Sequence, residues 1–259
     1  MRILILYPVL LVYLIGGTLM AQNTTISKKE SDSREVLAKH KVMLIPFEPK
    51  LYMGEIDYNI NAETKLSSKQ IKFKFRDGVN EQLYKSFKSA GYQVLDLMDD
   101  TTKYKKDLEG IYQFLSYDYQ KTPNQENYKA PEKEKKDKAI EKGQLVVETN
   151  SDSRFMNAKI TNAKVVPYLY GKYKTDLFVF INQLDIKAAQ NNSNDGSAGK
   201  RLVRIHYTVY TYDAKEINSG IAEEAFEIDV NNPKKIIDKY ISKLAATIVF
   251  RVNKGLGIR

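Results

Sequence analysis

The chain has 259 residues and carries 41 Lys and Arg against 32 Asp and Glu, a net charge of +9. That length suits one large domain or two small ones, and 42% hydrophobic residues fit a mainly folded chain with a solvated insert. Cys is absent, which excludes disulfide frameworks, thiolate metal centres, iron–sulfur clusters and cysteine nucleophiles. His40 and His206 are too few for a multi-histidine metal site, so no cofactor is expected.

Arg2 precedes an apolar run from Ile3 to Ile15, then Gly16-Gly17-Thr18-Leu19-Met20-Ala21 and a polar stretch. One basic residue, an apolar core and a small residue before a polar segment describe a secretory signal peptide over residues 1–21, cut after Ala21. The alternative is an inner-membrane anchor through residues 3–21, close to the roughly 20 residues that span a bilayer. Pro8, the two glycines and Thr18 weaken that alternative. Cleavage would remove Arg2 and leave 40 basic residues against 32 acidic ones, a net +8. An exported chain without Cys fits a bacterial envelope. The periplasm is therefore the expected location, with no transmembrane segment in the mature chain.

Residues 22–40 are rich in Ser, Lys and Glu and read as a flexible leader; 41–259 read as a single α/β domain. Val42-Met43-Leu44-Ile45 is a short continuous apolar run ended by Pro46, the pattern of a strand buried on both faces. Residues 48–66 read as a loop. Ser67 with Gln70 has the form of a capping box, and Ile71, Phe75, Val79, Leu83 and Phe87 recur every fourth residue to Gly91, a C-terminal cap. Tyr92–Leu97 is the next strand. A second helix is predicted near 102–116, a charged insert near 118–142, and another helix over 155–170 broken by Pro167. Three strands then follow as a meander. Leu177–Ile186 is nearly all apolar and central, Leu202–Tyr212 alternates, and Ile221–Val230 alternates with Ile228 inward. Asn232-Pro233 opens a final helix with Ile237, Ile241, Leu244 and Ile248 on one side. The order predicts an α+β fold, an α/β sandwich with a mixed five-stranded sheet and a C-terminal helix.

Chemistry is sparse. Asn191 and Leu202 stand where a calcium loop needs its first and last acids. No glycine-rich turn follows an early strand with phosphate-binding spacing, and neither histidine sits in a nucleophile motif. Of the paired acids, Glu223 and Glu224 should face apart in a strand, and Asp99-Asp100 suits helix capping. One surface segment stands out: Tyr168, Tyr170 and Tyr173 interleave with Lys172 and Lys174, aromatic faces beside cations that can stack on sugars and hold anions. These five are the candidate ligand-binding residues. With 18 Tyr in the chain, they can equally be rings that seal a sheet edge.

Val42-Met43-Leu44-Ile45-Pro46-Phe47 resembles the opening strand of the periplasmic superfamily that includes the TolB amino-terminal domain, the curli secretion-channel subunit and the LpoB lipoproteins. Ala90-Gly91-Tyr92-Gln93-Val94 is similar to their next unit, Thr175-Asp176-Leu177-Phe178-Val179 to their aspartate-led central strand, and Tyr212-Asp213-Ala214 to a strand-end aspartate before a hairpin. The chain lacks a lipobox Cys, has Ile181 where relatives often have Gly, and its charged insert lacks the alternation of a membrane hairpin. The resemblance implies a non-catalytic envelope module that docks on other proteins, and it transfers no functional residue.

The resulting expectation is a periplasmic protein-interaction module in envelope assembly, secretion or transport. It would have an envelope protein partner, no nucleic acid ligand, and peripheral contact with anionic envelope components. The alternatives are an envelope-glycan hydrolase and a polysaccharide-binding protein.

Overall fold

The computed structural model describes residues 34–121, 140–141, 144–145, 154–189 and 199–258. The predicted signal peptide and most of the charged insert lie outside these residues. Residues 34–38 form a short helix that buries Leu37 in the core, so order begins inside the stretch whose composition reads as a leader.

A mixed sheet carries the fold. Its strands are β1 (Lys41–Ile45), β3 (Gln93–Asp96), β8 (Leu177–Lys187), β9 (Arg201–Thr211) and β10 (Glu216–Phe226), in the order β10-β9-β8-β1-β3. β1 pairs in parallel with both β3 and β8, and β8, β9 and β10 form the antiparallel meander. The expected five strands are thus present, with β2 (Tyr52–Gly54) as a short sixth that pairs in parallel with β8 beyond the end of β1. The 48–66 stretch is accordingly not a loop: a turn of 3-10 helix, β2 and helix α1 (Asp57–Thr64) fill it.

One face of the sheet carries α2 (Ser68–Ala90) and a final helix, α5. That helix is continuous through Pro233–Ile236, a π-helical turn Ile237–Ile241, and Ser242–Gly255. α2 begins as its capping box requires, with Ser67 Oγ accepting from Gln70 N and Ser67 N donating to Gln70 Oε1 at 2.8 Å. It ends at Gly91 with φ 106°, a left-handed conformation that suits glycine. Its five-residue stripe is fully buried against Val42, Leu44, Val179, Ile205 and Ile241. Asn232 caps α5 by accepting from Lys234 N and Lys235 N. Gly78 lets the two helices touch, since a Cβ there would lie 2.5 Å from Ile237 Cδ1.

The opposite face is divided. Under α3 (Thr101–Gln113) and α4 (Val165–Tyr173) lie Met43, Ile45, Phe178 and Phe180, an apolar second core. Beyond them a bulge between Ile181 and Gln183 resets the alternation of β8. Leu184 and Ile186 thereby return to the main core, while Gln183 and Asp185 face away from it. That polar half is covered by β7 (Arg154–Ile160), paired antiparallel with β4 (Leu115–Lys121). β5 (Ile140–Glu141) and β6 (Gln144–Leu145) form a separate two-residue ladder.

Three expectations are corrected here. Residues 154–160 are strand rather than helix, and Pro167 sits in the first turn of α4, where its missing N–H disrupts nothing. The last strand starts at Glu216, following a tight turn with Ala214 at φ 61°, and ends at Phe226. Ile228 lies past that end and is exposed. Among the described residues no helix is long and apolar enough to cross a membrane.

Candidate functional site

Helical spacing decides how the five tyrosines and lysines are presented. Residues four apart share a helix face, so α4 sorts them into two groups. Val166 and Leu169 point inward and are buried against the second core.

Tyr168, Lys172 and Tyr173 face α3. Lys172 Nζ donates to both oxygens of Asp107 at 2.8 Å, and the Tyr173 hydroxyl donates to the same carboxylate. The Lys172 ammonium lies 5.0 Å from the Tyr173 ring centroid and 6.0 Å from that of Tyr168, within cation–π reach of both. The Asp107 side chain is only 7% exposed, so one buried carboxylate holds a cation and a phenol at the α3–α4 seam. The bond to Asp107 raises the Lys172 ammonium above its ordinary range. Partial burial, followed by the Asp107 bond, raises the Tyr173 phenol, while Lys172 opposes it.

Tyr168 itself is 60% exposed and stands over a groove of about 420 Å³ between the two helices. Ile111, Phe114, Val165 and Leu169 give the groove an apolar floor, with Lys106 and Lys164 at its margin. This combination suits an apolar or aromatic side chain that also brings a negative charge.

Tyr170 and Lys174 point the other way. Tyr170, 39% exposed, packs on Tyr212 with centroids 4.9 Å apart, and Lys174 Nζ lies 5.9 Å from the Tyr170 ring. The five residues therefore form two patches. Asp107 and the groove were invisible to sequence reasoning, because their partners lie some 65 positions away and no local motif joins them.

The histidines occupy structural positions. His206 is 2% exposed under β7, where its Nδ1 accepts from Met156 N at 2.8 Å. That bond puts the ring proton on Nε2, which donates to Asp185 Oδ2 at 3.1 Å. Burial alone would raise the Asp185 carboxyl. The His206 bond, with Gln183 and Lys187 nearby, outweighs burial and holds it below the ordinary carboxylate range. His40 Nδ1 pairs with Asp176, whose other oxygen accepts from Lys41 N at 2.6 Å. This clamp joins the starts of β1 and β8 and gives the aspartate before the central strand a structural task.

The paired acids also separate as their positions require. Glu223 meets Arg204 on β9 and Glu224 meets Lys243 on α5. Asp100 caps α3 by accepting from Thr102 N and Lys103 N, while Asp99 faces a crevice beside β3. Among the described residues no group of three or more acidic or histidine side chains could hold a metal ion. No protein-family model matches the sequence, and no curated protein is significantly similar to it.

Proposed function

We propose that this chain is a non-catalytic, periplasmic interaction module of a bacterial envelope, engaging a protein partner through the α3–α4 face. The observation that carries the reading is Tyr168, an exposed ring over an apolar groove, beside a lysine already fixed in place by Asp107 and two aromatic faces. A rigid aromatic anchor beside a pocket is the arrangement that concentrates binding energy at protein interfaces. The engagement of both histidines by internal bonds weighs toward binding rather than turnover. The signal-peptide pattern and the resemblance to the TolB, curli-channel and LpoB superfamily support the location and the docking role. The lysines around the groove add weak attraction for anionic envelope components.

A polysaccharide-binding role rests on the same tyrosines, which could stack on sugar rings. One experiment separates the two. A photo-crosslinking residue placed at Tyr168 in cells should capture one recurrent envelope protein, and the same residue at Tyr58, on α1 and exposed, should not. Loss of that adduct in the Lys172→Met variant, with the melting temperature nearly unchanged, supports docking. Capture of nothing by Tyr168, together with glycan retention that disappears in Tyr168→Ala, supports the sugar-binding reading instead.

A further inference from the structure

A second concave site lies beside β3 and shares no lining residue with the α3–α4 groove. β3 ends at Asp96, and its connection to α3 passes beside the middle of α2, which leaves a crevice at that end of the strand. The space is about 450 Å³, lined by Asp77, Asn80, Glu81 and Tyr84 of α2 and by Asp96, Met98 and Asp99 of the β3–α3 connection. In a chain of net charge +9, four carboxylates around one crevice form a local reversal of sign.

Only one of the four carboxylates is paired directly with a cation. Glu81 is paired with Lys85 at 2.5 Å, and Lys88 Nζ lies 5.8 Å from the Tyr84 ring centroid rather than on an acid. Asp96 accepts only from Met98 N, at 2.7 Å, and from Asn80 Nδ2. Asp77 and Asp99 have no side-chain hydrogen-bond or ion-pair partner within contact among the described residues, although the charges of Arg76 and Lys74 act on Asp77 from farther away. Burial raises the Asp96 carboxyl, and Asp99 and Asp77 push it in the same direction against those two bonds.

Asn80 supplies an independent sign. It is 1% exposed and lines the crevice, and with Nδ2 spent on Asp96 its Oδ1 is left buried with no donor. Unsatisfied buried acceptors are uncommon in folded proteins, and this one sits beside under-compensated carboxylates. The carboxylates lack positive charge and the amide oxygen lacks a donor, and a cationic N–H group supplies both. The N-terminus of α3 at the rim is closed by its own Asp100, so it offers no competing anion site.

We propose that this crevice binds an organic cation, a guanidinium or alkylammonium group, with its charge distributed over Asp77, Asp96 and Asp99 and its apolar stem against Tyr84 and Met98. A single metal ion is the poorer fit, because no group of three or more acidic or histidine side chains among the described residues could hold one. A guanidinium spreads five donors over a plane and can reach separated carboxylates and an amide oxygen together. The source is either a free small molecule or a basic side chain of a protein.

Calorimetric titration of the full chain with agmatine, with 1,4-diaminobutane and with an acetylated Gly-Arg-Gly-Arg-Gly amide tests this. Saturable one-site binding of agmatine or the peptide is expected, weakened about tenfold in the Asp77→Asn/Asp99→Asn double variant, as loss of charge-assisted bonds implies. Both positions are exposed, so the melting temperature should hold. Asp99→Lys, which places an ammonium at the rim, should abolish binding and serves as the test if the double variant unfolds. Agmatine or diaminobutane binding as tightly as the peptide identifies a free cation; binding of the peptide alone identifies a basic side chain. The proposal is overturned if neither agmatine nor the peptide saturates the wild type, if the variants bind equally well, or if calcium displaces agmatine stoichiometrically.

Discussion

The two faces of the central sheet are buried by different means. On the α2–α5 face, Val42, Leu44, Val179, Val203, Ile205 and Val209 meet helical stripes of the same character, and stability there is a matter of apolar area and packing. On the opposite face, the far half of β8 and β9 presents Gln183, Asp185, Arg204, His206 and Thr208, all buried. What covers them is a strand presented edge-on. Met156 N donates to His206, Ala158 N to Thr208 Oγ1 at 3.2 Å, Asn182 Nδ2 to Met156 O at 2.8 Å, and the Tyr210 hydroxyl to Ala158 O at 2.8 Å. Side chains of one sheet thus take the place of a neighbouring strand, satisfying the free edge of β7 without extending the ladder. An apolar face tolerates local repacking; a face built this way requires each donor to find its acceptor.

The largest effect is expected on the apolar face. Phe75→Ala removes a fully buried ring from the α2 stripe and should destabilise the chain by about 3–5 kcal/mol in urea denaturation. Thr208→Val is the matching test of the polar face, because it preserves shape and deletes one hydroxyl. That hydroxyl accepts from Asn182 Nδ2 at 2.7 Å and from Ala158 N, and donates to Asn157 Oδ1 at 2.5 Å. Leaving these groups unmet should destabilise by about 2–3 kcal/mol, with hydrogen exchange accelerating first in β7. A neutral result would mean that apolar contacts alone hold the ribbon, and the contrast between the faces would fail.

Proton linkage sharpens the contrast, since a buried and a half-buried aspartate shift in opposite directions. Asp185, beneath β7, has its pKa lowered on folding, so its stabilisation is fully present above the ordinary value of about 3.9 and is lost as pH falls through the lower folded value. Asp96, in the crevice, has its pKa raised chiefly by burial. Its ionisation therefore opposes folding above that raised value, and the opposition is relieved as pH falls toward about 3.9. Asp185→Asn should destabilise at neutral pH and converge on the wild type in acid. Asp96→Asn should be better tolerated at neutral pH, with its difference from wild type moving the other way on acidification. Melting curves from pH 3 to 7, about the span of these titrations, check both signs.

Legibility in the sequence follows the same division. The α2 stripe, its two caps, the central position of β8, the Asn232 cap and the inward side of β9 all follow from periodicity, because apolar residues there answer to one dominant force. The β9 alternation also placed Arg204, His206 and Thr208 on a polar side, but polar does not mean solvated: all three are buried, His206 and Thr208 bonding β7 and Arg204 pairing with Glu223. β7 escaped recognition for the complementary reason. Arg154–Ile160 has no clean alternation, since one edge pairs with β4 and the other with side chains fifty positions later. The α4 tyrosines were legible as a surface, while Asp107, which bonds Lys172 and Tyr173, belongs to a pairing that only the fold brings together.

The smallest expected effect bears on how α3 and α4 are held over the second core. Lys172→Met keeps most of the apolar stem and removes the ammonium from Asp107. The ammonium end of this pair is open to solvent and Asp107 keeps the Tyr173 hydroxyl as a donor, so the loss should be only about 1 kcal/mol, and less still in high salt. Val166, Leu169 and Ile111 would then be the residues that seat the two helices, with Lys172 free to serve recognition. A loss above about 2 kcal/mol would instead show that the buried Asp107 carboxylate depends on its cation. In that case the seam would belong with the polar half of this face, where partners are obligatory, rather than with the apolar half on which it sits.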